Sequence, residues 1–105
     1  MDLTQILLRV AARRPHVLVV PAVGGTAARL AVEASIARRG WPTAMGPADA
    51  DVVVVAGSPG PELGAVIERV WQQVPKPRAR AAVSDPADVD RMLDAAVDAL
   101  DALDA

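Results

Sequence analysis

Val17-Leu-Val-Val20 running into Ala22-Val-Gly-Gly-Thr26, and Val52-Val-Val-Val55 running into Gly57-Ser-Pro-Gly-Pro61, decide how this chain folds. A strand buried on both faces reads as an unbroken run of aliphatic residues, and such strands belong to parallel sheets covered by helices. Each run empties into a glycine-rich loop that opens a helix. In open α/β sheets the ligand crevice lies beyond the carboxyl ends of the strands, where these two loops fall.

Outward from these runs, the remaining segments complete an α-β-α-β-β-α-β-α order. Leu3, Ile6, Leu7, Val10 and Ala11 have helical spacing, with Asp2 and Gln5 placed as a capping box. Pro15 ends that helix and starts the first strand, His16 to Pro21. A second helix runs from Gly25 or Thr26 to Arg39, with Gly40 as its stop. Trp41 to Met45 is a short strand candidate, its Pro42 suited only to a strand start or an edge. Pro61 suits the first turn of the next helix, whose Leu63, Val66, Ile67, Val70, Trp71 and Val74 form an apolar stripe. After Pro75-Lys-Pro77 comes the strand Arg78 to Val83, with arginines on one face. Ser84-Asp85-Pro86 then starts a last helix with Val89, Met92, Leu93, Ala96, Val97 and Leu100 inward.

Right-handed crossovers send the connections from the central pair of strands in opposite directions. The expected architecture is therefore one α/β domain over residues 1–105: a three-layer sandwich around a four-stranded, mainly parallel sheet in order 2-1-3-4, with an extra N-terminal helix. The two glycine-rich loops face each other across the switch point between the first and third strands.

Composition narrows the function classes. Among 105 residues there are no cysteines, one histidine and two tryptophans, and the net charge is −2. No thiolate nucleophile, disulfide framework or cysteine-ligated iron–sulfur cluster can be built, and His16 alone cannot make a multi-histidine metal site. No cofactor is expected. The near-balanced charge gives no electrostatic case for nucleic acid. No apolar run approaches the roughly 18 residues of a membrane span and no signal segment opens the chain, so a cytoplasmic protein without membrane insertion is expected.

The loops offer the one candidate site. Backbone N–H groups of Val23, Gly24, Gly25 and Thr26, the Thr26 hydroxyl and a helix N-terminus suit an anion such as phosphate; Gly57, Ser58 and Gly60 line the facing loop. Neither loop matches a P-loop or the three-glycine dinucleotide fingerprint. The same glycines equally serve a tight turn and close helix–sheet packing, and Ser58 reads first as a helix cap. A nucleophilic Ser58 would need a base, and His16 lies roughly 15–20 Å away at the other end of its strand. No catalytic residue is assigned.

Charges cluster by position. Arg13, Arg14, Arg38, Arg39, Lys76 and Arg78 fall at helix ends or strand starts, and Asp90, Asp94, Asp98, Asp101 and Asp104 form an acidic stripe on the last helix. The stripe is either a solvated face or meets basic residues, of the same chain or a second subunit.

The stretches Ala50-Asp-Val-Val-Val-Val-Ala-Gly-Ser-Pro59 and Val66-Ile-Glu-Arg-Val-Trp-Gln-Gln-Val-Pro-Lys-Pro-Arg78 resemble the 20 kDa iron–sulfur subunit of NADH:quinone oxidoreductase and the related small subunits of NiFe hydrogenases. The resemblance extends more loosely over Val17–Ala34. It implies a flavodoxin-like, Rossmann-like fold and an oxidoreductase setting. In that family cysteines after the first and fourth strands hold a four-iron cluster; here Val23-Gly-Gly-Thr26 and Val83-Ser-Asp-Pro86 stand in those places, so no cluster ligand carries over. Two functions follow. One is a cluster-less relative acting by association, as a homodimer or as a subunit of a larger redox complex. The other is a domain binding an anionic small molecule (phosphate, nucleotide or flavin) through the two loops. Gly25→Asp is the substitution expected to separate them.

Overall fold

A computed structural model describes residues 14–104. Three parallel strands, β1 (Val17–Pro21), β2 (Val52–Ala56) and β3 (Ala79–Val83), form a sheet in that order. Three helices follow them: α1 (Thr26–Arg39), α2 (Pro61–Gln73) and α3 (Val89–Asp104). The helix expected over the first residues lies outside the described ones.

The central strand is β2, and every one of its residues is buried. Its alternation divides the core in two. Val52, Val54 and Ala56 join Val17, Ala79 and Val83 beneath Ala28, Val32 and Ile36 of α1 and Val89, Leu93, Ala96 and Leu100 of α3. Val53 faces the other way, into a smaller cluster with Ala44, Ala50, Val74 and Trp71 on the α2 side. Helices α1 and α2 thus cover opposite faces, because the chain leaves α1 on the outer side of β1, where Thr43 bridges Val17, before it returns to β2. With no Phe or Tyr in the chain, the layers are filled almost wholly by valine, alanine and leucine.

The expected second strand is a correction. Trp41–Met45 pairs with β1 only through a parallel bridge between Val17 and Thr43, made by Val17 N–H to the Pro42 carbonyl at 3.0 Å and Ala44 N–H to the Val17 carbonyl at 2.9 Å. The segment lies on the expected side of β1, but it turns away after one rung. Met45 N–H donates to Asp49 Oδ2 at 3.0 Å, and Pro47–Asp49 closes into a single turn of 3₁₀ helix. The sheet is three-stranded.

Helix boundaries follow local chemistry. Gly40 adopts φ 70°, its N–H bonded to the Ala37 carbonyl and that of Trp41 to Ile36, a Schellman stop that L-residues with a Cβ disfavour. Pro61 occupies the first turn of α2. Asp85 accepts the Ala87 N–H at 2.9 Å and starts the 3₁₀ turn Pro86–Asp88 that leads into α3.

Candidate functional site: two loops closed on each other

The two glycine-rich loops do meet at the carboxyl edge of the sheet, and they meet backbone to backbone. Ala22 N–H donates to the Ala56 carbonyl at 2.8 Å, Ser58 N–H to the Val23 carbonyl at 2.9 Å, Gly25 N–H to Ala22 at 3.1 Å and Gly57 N–H to Val83 at 2.9 Å. Val23 and Ser58 form an antiparallel bridge.

This geometry explains two of the glycines. A β-carbon on Gly25 would lie 1.9 Å from the Ala56 carbonyl oxygen. Gly57 has φ +112°, and a β-carbon there would fall 2.6 Å from the Ala22 carbonyl oxygen. Both positions demand glycine because the loops touch. Gly24, at φ +74°, and Gly60 face open space.

The loop N–H groups of Gly25, Gly57 and Ser58 are therefore already engaged by the protein. Gly25 holds the cap position of α1 and Gly60 that of α2, with no side-chain hydrogen bond at either, so the first-turn N–H groups of both helices lack an intrahelical acceptor. Ser58 does not cap α2, contrary to expectation: Gly60 holds the cap position, while Ser58 is committed through its backbone to Val23 and its side chain is exposed. Thr26 is likewise exposed and is the first residue of α1, one place past the cap. Val23, on the rim, is 79% exposed.

His16 sits at the opposite end of β1. Its Nδ1 lies 3.1 Å from Asp49 Oδ1, and its backbone N–H donates to Asp51 Oδ2 at 2.8 Å. The Met45 N–H, and secondly His16, hold the Asp49 carboxyl below its ordinary value. This cluster fastens the Met45–Asp49 turn to β1. Among the described residues no group of three or more His, Asp or Glu could hold a metal ion, and no helix is long and apolar enough to cross a membrane.

Sequence reasoning left open what the acidic stripe meets. Its first two members bind the end of α1. Ser35, fully buried, donates its hydroxyl to Asp90 Oδ1 at 2.6 Å and accepts from Arg39 Nε at 3.0 Å. Arg39 also reaches Asp94 Oδ1 at 2.8 Å and the Asp90 carbonyl at 3.1 Å. Arg38 approaches Asp90 at 3.4 Å. Cations in the last turn of α1 and a carboxylate in the first turn of α3 each sit where the helix dipole favours them.

Arg78, immediately before β3, and Arg80 within it gather on Trp71. The Arg78 and Arg80 guanidinium carbons lie 4.2 and 5.2 Å from the indole centroid. Arg78 also donates to the Trp71 carbonyl near the end of α2, and Arg80 pairs with Glu68 at 3.0 Å.

No protein-family model matches the chain, and no curated protein matches it.

Proposed function

We propose that this chain works by association rather than by chemistry of its own: a cluster-less, flavodoxin-like relative of the NADH:quinone oxidoreductase 20 kDa subunit, docked in or beside a redox complex or paired with a second copy. The supporting observation is the closure of the two loops. Where the resembling family carries cysteines around a cluster, this chain brings Gly25 and Gly57 into direct backbone contact with the facing loop. Of the N–H groups that could cradle a ligand, that of Ser58 is spent on that contact, while those of Gly25 and Gly57 are bonded to Ala22 in the same loop and to Val83 of β3. The rim is edged by the exposed Val23, Ser58, Pro59 and Gly60, a surface with a protruding apolar side chain and no charge, which suits protein contact better than capture of an anion.

A second reading rests on a different observation. Neither α1 nor α2 has a side-chain cap, so their first-turn N–H groups could take an anionic ligand lying across the outside of the closed loops. Titration of the full chain with phosphate, a nucleotide or a flavin, followed by melting temperature, separates the two. Association predicts no shift at millimolar ligand, together with a sedimentation coefficient that depends on protein concentration or on an added redox-complex subunit and is reset by Val23→Asp. A saturable shift in melting temperature, with sedimentation indifferent to Val23→Asp, would replace association with the binding reading.

A further inference from the structure

The outer face of α1 is apolar where the outer faces of the other two helices carry charge. Helix α3 turns Asp90, Asp94, Asp98 and Asp101 to water, and α2 turns Glu62, Glu68, Arg69 and Gln72. On α1 the buried Ala28, Val32, Ser35 and Ile36 face the sheet and α3. At about 100° per residue, Ala27, Leu30, Ala34 and Ala37 fall on the opposite side, and all four are exposed. Leu30 is 54% exposed, and Val23, in the loop that opens the helix, 79%. A surface helix ordinarily turns polar residues outward. Here the exposed charges Glu33 and Arg38 flank the apolar stripe, one on each side of it.

We infer that this face is the seam between two copies of the chain, their α1 helices packed in parallel; the inference rests on the association reading above and names its partner and its surface. The spacing is that of a coiled-coil seam, with Ala27 and Ala34 at one core position of the heptad and Leu30 and Ala37 at the other. Glu33 directly precedes one seam position and Arg38 directly follows another, the flanking places whose charges set partner and orientation. In a parallel pair a flanking residue meets the opposite flank of the second helix five residues further on, so each Glu33 meets the partner's Arg38, twice by symmetry. An antiparallel pair brings like flanks together and sets Glu33 against its own copy. Both charges can be redirected. Arg38 reaches Asp90 only at 3.4 Å, with both side chains 64% exposed, and Ser35 already donates to that carboxylate at 2.6 Å. Glu33 pairs with Arg29 along its own helix at 2.9 Å, an exposed contact that contributes little. Alanines on either side of Leu30 let the helices approach to about 8 Å. One helix per copy makes a short seam, so the dimer belongs with the small, concentration-dependent interfaces.

Sedimentation of the full chain should show self-association across the micromolar range, weakened at least about tenfold by Leu30→Asp, which buries a charge in the seam. Glu33→Arg and Arg38→Glu should each weaken it alone. An equimolar mixture of those two variants should associate again, because every facing pair is then of opposite charge. The chain has no cysteine, so single engineered thiols report without background. Under mild oxidation Ala27→Cys and Ala37→Cys should each form a disulfide between copies, in yields several-fold above Ala65→Cys on the outer face of α2. Both ends of the stripe meet themselves only in the parallel arrangement. A chain that stays monomeric at every concentration, association indifferent to Leu30→Asp, a mixture no tighter than its components, or disulfides formed only when the Ala27→Cys and Ala37→Cys chains are mixed would each overturn the inference. Association that survives Leu30→Asp but is lost with Val23→Asp, or that needs an added redox-complex subunit, removes this seam and leaves the association reading standing. A melting-temperature shift with phosphate, nucleotide or flavin and no association removes both.

Discussion

The α-carbon of Gly25 lies so close to the Ala56 carbonyl that a β-carbon would stand 1.9 Å from the oxygen. The obstacle is backbone on both sides, and the same carbonyl already accepts the Ala22 N–H. Nothing there can rotate away. Gly25→Asp therefore cannot separate binding from association, because it breaks the loop contact before any ligand is involved.

Gly25→Ala should lower stability by about 3 kcal/mol or more, at or above the upper range for forced overpacking. Gly24→Ala meets open space and bears only the cost of φ +74°, about 1 kcal/mol. Urea unfolding of both variants checks this. A Gly25→Ala protein within about 0.5 kcal/mol of the parent would mean that the loops separate readily.

How much of this was legible beforehand divides along the kind of interaction involved. The aliphatic runs Val17–Val20 and Val52–Val55, Gly40 as a stop and Pro61 as a start were readable because each places a side chain, or its absence, where secondary structure demands it. Backbone pairing between the loops left no such mark. The Val23–Ser58 bridge and the Ala22–Ala56 hydrogen bond use groups that every residue carries, so the sequence could place the two loops opposite each other but could not say that they close. The shortened second strand was hidden for a related reason. Its end depends on Asp49 capturing the Met45 N–H, a contact four residues away that periodicity does not encode.

At the joint between α1 and α3, Asp90 should behave as an acid-sensitive group. The Ser35 hydroxyl, and after it Arg39 and Arg38, hold its carboxyl below the ordinary 3.8. A carboxyl depressed on folding contributes stability that is complete above its unfolded value and is lost as pH falls through its folded one. The melting-temperature gap between the parent and Asp90→Asn should therefore stay level near neutrality and close as pH drops below about 4. Ser35→Ala removes the largest cause, so the Asp90 carboxyl carbon should titrate at higher pH by NMR. An unchanged titration would locate the cause elsewhere.

The larger core layer should respond more strongly than the α2 stripe. Leu93 is 1% exposed among Val89, Ala96 and the β3 residues, and Leu93→Ala should cost about 2–5 kcal/mol. Val66→Ala, at a position 39% exposed, should stay within about 0.5 kcal/mol. Denaturant midpoints of the two variants provide the comparison, and similar losses would place Val66 in a buried contact that the described residues do not make.

Trp71 provides a spectroscopic probe of the α2–β3 corner. Arg78 stacks on its ring and donates to its carbonyl, joining a cation–π contact to a bond that satisfies one of the last carbonyls of α2. Arg80 lies farther from the ring and shares its charge with Glu68 in an exposed pair, which contributes little in water. Arg78→Ala should thus destabilise by about 1–2 kcal/mol and Arg80→Ala by less than about 1 kcal/mol. Trp41→Phe, which leaves Trp71 as the single indole, makes its fluorescence readable: loss of Arg78 should shift the emission maximum and increase iodide quenching, while loss of Arg80 changes both less. The reverse ranking would mean that the carbonyl bond adds nothing and that the outer guanidinium is the one screening the ring.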